Sequence, residues 1–489
     1  MADGQKSDAV DVIQLARQVL AARDFEQLLV EMQQPLDVSV RANRLKADPP
    51  EAINNWAAMY GWEYENIPFC PSGFWLKKIH DQPGTTITHR MGYYYIQEAA
   101  SMLPAELFDF SAIQEPLILD MAASPGGKTT HLIDRIGDRG LIIANDASRS
   151  RIPALEIVLR NWGAINQAVT CLPGEFYGSA YESCFDAVLL DAPCSMQGLR
   201  GADSHAMRSV TLGEINSLAA RQSRLLESAL RAVKPGGQVV YATCTLTAQE
   251  NEAVLTGILS RFPRQVEIMD AHTKVAGASR GLDELDGVKC PSSIGKAIRL
   301  WPHNLGTAGF FSALIVKNDQ LPLSRDLRNR RITPSQPRYR ALNRSQTSEL
   351  ISSFLDRYGY SLDQLIEAQS LRLFEIHEYI YLLPALMQEK MDNLPWSSCG
   401  LQLGKRVSGD WQPSHEFVAR FGDQFQGGIL VLGDQHVDAW LRGEDLRDFS
   451  GGPAEQTGIL AVRDRLGRNL GRAKLLSDRL KNMLPTRLF

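Results

Sequence analysis

The spacing of apolar and polar positions changes several times along the chain, and the changes divide it into segments. Residues 8 to 32 alternate apolar and charged positions at helical spacing, and strand-like pieces follow at Asp37 to Leu45 and Phe74 to Ile79, with Pro and Gly between them. This pattern predicts a small α+β domain. From about Pro116, short and nearly continuous apolar runs alternate with helical stretches: LILDM, a Gly-rich turn, LIIAND, a helix near Arg149 to Asn161, FDAVLLD, a long helix near Leu212 to Val233, and GQVVYAT. Strands that are apolar on both faces predict a parallel sheet covered by helices on both sides. The run GFFSALIVK closes this α/β unit near Lys317. Residues 318 to 345 are rich in Pro, Ser, Asn and Arg and read as a linker or surface arm. A helical segment is expected from Gln346 to about Asn393, and from Gly400 onward glycines and short strand-like runs return. The expected domains are therefore 1–112, 113–318, 319–398 and 399–489.

With 44% apolar and 22% charged residues, the 489-residue chain has material for two to four cores. No apolar run approaches the ~18 residues that would span a bilayer, and MADGQKSDAV lacks the pattern of a signal peptide, so a cytoplasmic protein without a membrane partner is expected. Seven cysteines, at 70, 171, 184, 194, 244, 290 and 399, form no Cys-x-x-Cys pair, so free thiols and no metal site are expected. The net charge of −4 means that attraction to a nucleic acid must come from local patches. Two are present. Arg325, Arg328, Arg330, Arg331, Arg338, Arg340 and Arg344 face one acid, Asp326, with Tyr339 among them, and Arg463, Arg465, Arg468, Arg472, Lys474, Arg479, Lys481 and Arg487 face Asp464 and Asp478. Such runs are often only solvated faces, but their concentration in an acidic protein favours phosphate contacts.

Residues 120 to 130, DMAASPGGKTT, lie between a strand and a helix, where glycines let the backbone approach a ligand and the helix start offers free N–H groups. Ala122, Ala123, Ser124, Pro125, Gly126, Gly127 and Lys128 are thus candidate nucleotide-binding residues, and Asp146, ending the next strand, is placed to accept hydrogen bonds from ribose hydroxyls. The same stretch is one residue away from a P-loop, with VLLD ending at Asp191 imitating the magnesium strand, so a nucleoside triphosphatase is the rival class. Ala122 replaces the first P-loop glycine, and Pro125 removes one N–H donor. DAPCS and TCTL also place Cys194 and Cys244 at the ends of the next two strands, and phosphoryl transfer has no evident need for either. Methylation of an unactivated ring carbon does need such groups. Carbon 5 of cytosine becomes electron-rich only after a thiolate adds to carbon 6 while a donor at the ring nitrogen takes up charge.

YYIQEAASMLPAELF, DMAASPGGKTT, DAPCS, TCTL, GFFSALIVK and the N-terminal SVRANRLK closely resemble the RNA cytosine-5 methyltransferases of the Nol/Nop/Sun family, in order over about Val38 to Lys317. The resemblance implies a Rossmann-like core that binds S-adenosyl-L-methionine through Ala122 to Lys128, Asp146 and the region of Asp191. It also implies that Cys244 attacks carbon 6, that Cys194 helps to release the product, and that Asp191 holds the cytosine. DNA cytosine methyltransferases use the Pro-Cys cysteine instead, so PCS alone would suggest Cys194. One departure is CLPGEF, with Pro173 where the family has an acid facing the adenine; either Glu175 substitutes or the contact is missing. GLQLGKRV, PSHEF, WLRGEDL and LGRAKLLSDRLKNMLP look like the tail of a branch acting on small-subunit ribosomal RNA, ending in a PUA-like RNA-binding barrel. That branch implies 16S rRNA as substrate, in helix 44 of the decoding region and within the 30S subunit, with the N-terminal domain also contacting RNA and the protein a monomer. The remaining alternative is an inactive RNA-binding ribosome-assembly factor that keeps the fold without the chemistry.

Overall fold

The computed structural model describes residues 12–199, 209–285, 287–322, 339–407, 410–447 and 458–486. Five of the arginines in the first basic run, Arg325 to Arg338, lie outside them, as does Arg487.

The N-terminal sheet has four antiparallel strands in the order Glu63–Asn66, Gly73–Lys78, Val38–Ala42, Tyr94–Ile96. Helix Pro49–Tyr60 covers it, started by Asp48, whose carboxylate accepts the Glu51 amide, and by Pro49 in the first turn, and ended by Gly61 at φ 65°. Val40, Ile53, Trp56, Phe74 and Tyr94 pack between them.

The large sheet is doubly wound. Its parallel centre runs Gln167–Thr170, Leu141–Asn145, Leu117–Asp120, Phe185–Asp191, Val233–Thr243, and Phe310–Lys317 pairs antiparallel to the last of these. Strand order reverses at Leu117–Asp120, so the crevice outside the carboxyl ends of this strand and Phe185–Asp191 is where such a sheet binds ligands. The near-continuous apolar runs predicted this burial, and Leu119, Ile143 and Leu190 are fully buried.

Beyond Lys317 the expectation and the structure differ. Helices occupy Arg344–Tyr358 and Leu362–Ala368, but Leu371–Ile376 and Tyr379–Pro384 form a hairpin turned at His377 (φ 55°) and Glu378 rather than continuing a helical segment to Asn393. Leu, Phe, Ile and Tyr recur there at period two, the strand signature. The hairpin belongs to a five-stranded antiparallel sheet running from Tyr339 to Pro413, so the boundary expected at 398 falls inside a sheet. Ser398–Cys399 adds an edge strand to the large sheet, pairing with Gln167–Thr170. A last five-stranded sheet, between Ile429 and Asn482, contains one parallel pair, Ile429–Leu432 with Ile459–Asp464.

Candidate active site

The N-terminal sheet reaches the crevice through Arg41. Its guanidinium is completely buried, pairs with Asp134, donates to Gln97 Oε1 at 3.0 Å, and donates to Gly127 O at 3.1 Å and Thr130 Oγ1 at 2.6 Å. Trp162 Nε1 holds the other Asp134 oxygen at 3.0 Å. Burial keeps the Asp134 carboxyl well above the usual carboxylate range, against the pull of Arg41. The start of helix Gly127–Ile136 is thereby fixed from outside the catalytic domain. Nothing in the sequence flagged Arg41 except its place in SVRANRLK.

In the turn, Gly126 sits at φ 117°, a region closed to most side chains, and an added Cβ would lie 2.9 Å from Val158. Thr130 N makes the first helical bond, to Gly126 O, so the preceding N–H groups lack helical acceptors. The Ala123 amide bonds Asn145 O at 2.7 Å and the Ser124 amide bonds Asp146 Oδ2 at 3.3 Å, tying the turn to the end of the second strand. Asp146 Oδ1 accepts the Ser148 amide at 2.9 Å. Arg151 pairs with Asp146 Oδ2 at 3.3 Å and also donates to the Ser124 carbonyl. The Asp146 side chain is only 4% exposed, and its partner Arg151 is half exposed. Pro173 is exposed, and Glu175 opens the short helix Glu175–Ala180 beyond the third strand, half-buried.

Lys128, Asp191, Cys194 and Cys244 converge. Lys128 Nζ donates to Asp191 Oδ2 at 2.8 Å and lies 5.6 Å from the centre of the Phe310 ring. Burial disfavours the Lys128 charge, but Asp191, Cys244 and Asp120 outweigh it and hold the ammonium above its usual value. Cys194 Sγ and Cys244 Sγ are 3.3 Å apart. A hydrogen bond from Cys194 lowers the Cys244 thiol, with burial opposing and Lys128 assisting, whereas the same bond and burial push Cys194 well above the ordinary thiol range. The arrangement favours the proton on Cys194 and eases ionisation of Cys244.

Residues missed in the sequence set the thiol spacing. Glu250, fully buried, accepts the Ser195 amide at 2.9 Å, the Ser195 hydroxyl, Gln222 Nε2 at 2.8 Å and Thr247 Oγ1 at 2.8 Å. Ser195 Oγ also meets Thr245 Oγ1 at 3.0 Å, which binds the two cysteine loops to each other. Arg299, completely buried, pairs with Glu252 at 2.8 Å and donates to Leu246 O at 2.9 Å. Asp120, at the end of the first strand, accepts Thr129 Oγ1 at 2.6 Å, leaves Oδ1 buried without a partner, and is pushed up by burial to about 7. Among the described residues one group of three possible metal ligands comes together away from this crevice: Cys70, Glu106 and His131, with His131 Nε2 2.8 Å from Glu106 and Arg135 3.0 Å from the same carboxylate.

A doubly wound sheet with a glycine turn after its first strand and two cysteines just beyond the ends of its fourth and fifth strands is the arrangement of a Rossmann-like methyltransferase. Residues 110–316 match the family described as 16S rRNA methyltransferase RsmB/F, and residues 11–99 match the N-terminal domain of 16S rRNA methyltransferase RsmF. Ribosomal RNA small subunit methyltransferase F of Shewanella woodyi is 34% identical over 485 residues, covering 97% of this chain and 95% of the relative. The protein of that name from Erwinia tasmaniensis is 31% identical over 471 residues, covering 96% and 93%. A crystal structure of a methyltransferase homolog protein from Pyrococcus horikoshii superposes with a TM-score of 0.53 at 29% identity, over 63% of this chain and 99% of that one. The chain belongs to the 16S rRNA methyltransferase RsmB/F family. S-adenosyl-L-methionine is its methyl donor, and the donor set fits: a glycine turn with free helix-start amides, a carboxylate one strand over, and an ammonium ion-paired at the crevice.

Proposed function

We propose that this chain methylates carbon 5 of a cytosine in 16S rRNA, in helix 44 of the decoding region, with Cys244 as nucleophile. The observation that carries this reading is the pair of thiols 3.3 Å apart beyond the ends of neighbouring strands, beside the Lys128–Asp191 ion pair. Cys244 adds to carbon 6, and the electron pair of the 5,6 double bond moves toward carbon 5 while a donor at the ring nitrogen takes up the charge. Asp191, held by Lys128, orients the cytosine ring. The bound donor supplies a methyl group to carbon 5. Water in the crevice then takes the carbon 5 proton, the electrons of that bond restore the double bond and expel Cys244 as a thiolate, and the neighbouring Cys194 thiol assists by donating a hydrogen bond to the leaving sulfur. Ala122, Ala123, Ser124, Pro125, Gly126, Gly127 and Lys128 line the donor site, with Asp146 and Asp191 at its edges.

The N-terminal, catalytic and C-terminal parts divide this work. The N-terminal domain and the C-terminal sheet, read as PUA-like, hold RNA in the 30S subunit, and the protein acts as a monomer in the cytoplasm. Among the described residues no helix is long and apolar enough to cross a membrane. Several guanidinium groups of the second basic run already have partners within the protein. Arg463 donates to Gly422 O at 2.6 Å, Arg472 to Pro413 O at 2.5 Å, Arg468 pairs with Asp464, and Arg479 pairs with Asp445 and Asp478. Lys474 and Lys481 with the first arginine run are then the principal phosphate contacts. Labelled methyl donor supplied with protein-free 16S rRNA and with assembled 30S subunits tests the reading: label in 5-methylcytosine of the particle is expected, and no transfer to either would overturn it.

A further inference from the structure

The loop following Cys194 presents one apolar side chain to solvent and anchors every neighbour of it. Ser195 is fully buried and bonded to Glu250 and Thr245. Gln197 is buried, and its carbonyl accepts the Leu246 amide at 3.0 Å. The Gly198 carbonyl accepts the Gly309 amide at 2.8 Å, and a Cβ on Gly198 would lie 2.8 Å from Gly309 O. Leu199 packs with Ala16, Leu28, Leu246 and Trp301. Between them Met196 is 53% exposed and stands at φ 59°. That backbone region is unfavourable for a residue with a side chain and free for glycine, and a strained residue beside a reactive group marks a side chain put to use. An exposed thioether gains little from its own protein, so its use lies in what the crevice receives.

We propose that Met196 is the wedge that fills the RNA stack from which the target base is drawn. This rests on the reading that the substrate is a cytosine in a helix. Such a base must leave its stack to reach Cys244, and an unbranched apolar side chain inserted into the gap offsets the lost stacking. The anchors on both sides hold Met196 in place two residues from Cys194.

The test uses the full-length enzyme and two preparations of 30S subunits lacking the methyl group: one with helix 44 intact, and one whose base opposite the target is replaced so that it cannot pair. Met196→Gly is expected to melt no lower than wild type, since glycine accepts the backbone freely. It should lose about tenfold in kcat/KM on intact particles and stay within about twofold of wild type on the unpaired ones. Met196→Leu should retain activity on both. Undiminished activity of Met196→Gly on intact particles, or an equal loss on both, overturns the wedge while leaving the methyltransferase reading in place. A wild-type enzyme inactive on both particles overturns that reading and the wedge with it.

Discussion

Replacing Arg41 by Met keeps most of the side-chain volume and removes the guanidinium that joins the N-terminal sheet to the helix after the glycine turn. Four hydrogen bonds disappear, to Gln97, Asp134, Gly127 and Thr130, and Asp134 stays behind in a site that is 1% exposed. Breaking one side of a buried ion pair costs about 3–5 kcal/mol, far more than an exposed pair is worth. The loss depends on pH. Asp134 titrates above its unfolded value of ~3.8, up to about 7. The native state therefore holds the proton more firmly, and this group's contribution to stability is complete below the unfolded value and lost as pH rises through the folded one. Removing the Arg41 charge raises the folded value further, so the deficit of Arg41→Met is smaller near pH ~5.5 than near pH ~8. Urea denaturation followed by tryptophan fluorescence at the two pH values measures this. Adding Asp134→Asn to the Met variant should recover at least ~1 kcal/mol at the higher pH, because the orphaned charge is gone. A deficit below ~1 kcal/mol, or one equal at both pH values, would mean that Arg41 does not stabilise a buried Asp134 charge.

Asp146→Ala should weaken S-adenosyl-L-methionine binding by about 1–3 kcal/mol, the cost of leaving buried hydroxyls without an acceptor; calorimetry checks it, and tight magnesium-dependent ATP binding by the wild type would instead revive the triphosphatase reading. Glu250→Gln turns an amide NH2 toward donors that now meet a carboxylate, so methyl transfer should fall by about tenfold or more while donor affinity stays unchanged; equal donor affinity together with full activity would show that Glu250 does not set the thiol spacing.

The catalytic sheet was legible because buried parallel strands write themselves as short apolar runs, and the residues at their ends, Asp146, Asp191, Cys194 and Cys244, inherit their positions from those runs. Arg41 was not legible because its partner Asp134 is 93 residues away, and no local pattern joins them. Glu250 carries no local signal in the segment AQENEA, and only the fold brings Ser195 and Gln222 against it. Charge counting failed to anticipate how Arg463 and Arg472 would be used, since main-chain carbonyls as partners leave no mark in composition. The hairpin at Leu371–Pro384 was misread because a short apolar segment supports either period, and there the cross-strand pairing decides.

The division of labour between the two thiols can be read from a denaturing gel of the two cysteine variants incubated with RNA substrate and methyl donor. Without addition at carbon 6 the ring never becomes nucleophilic, so Cys244→Ala should give neither methylated RNA nor a covalent protein–RNA band. Cys194→Ala should still attack, fail to release, and accumulate that band. The opposite pattern, a covalent band in Cys244→Ala and none in Cys194→Ala, would contradict the account and make Cys194 the nucleophile.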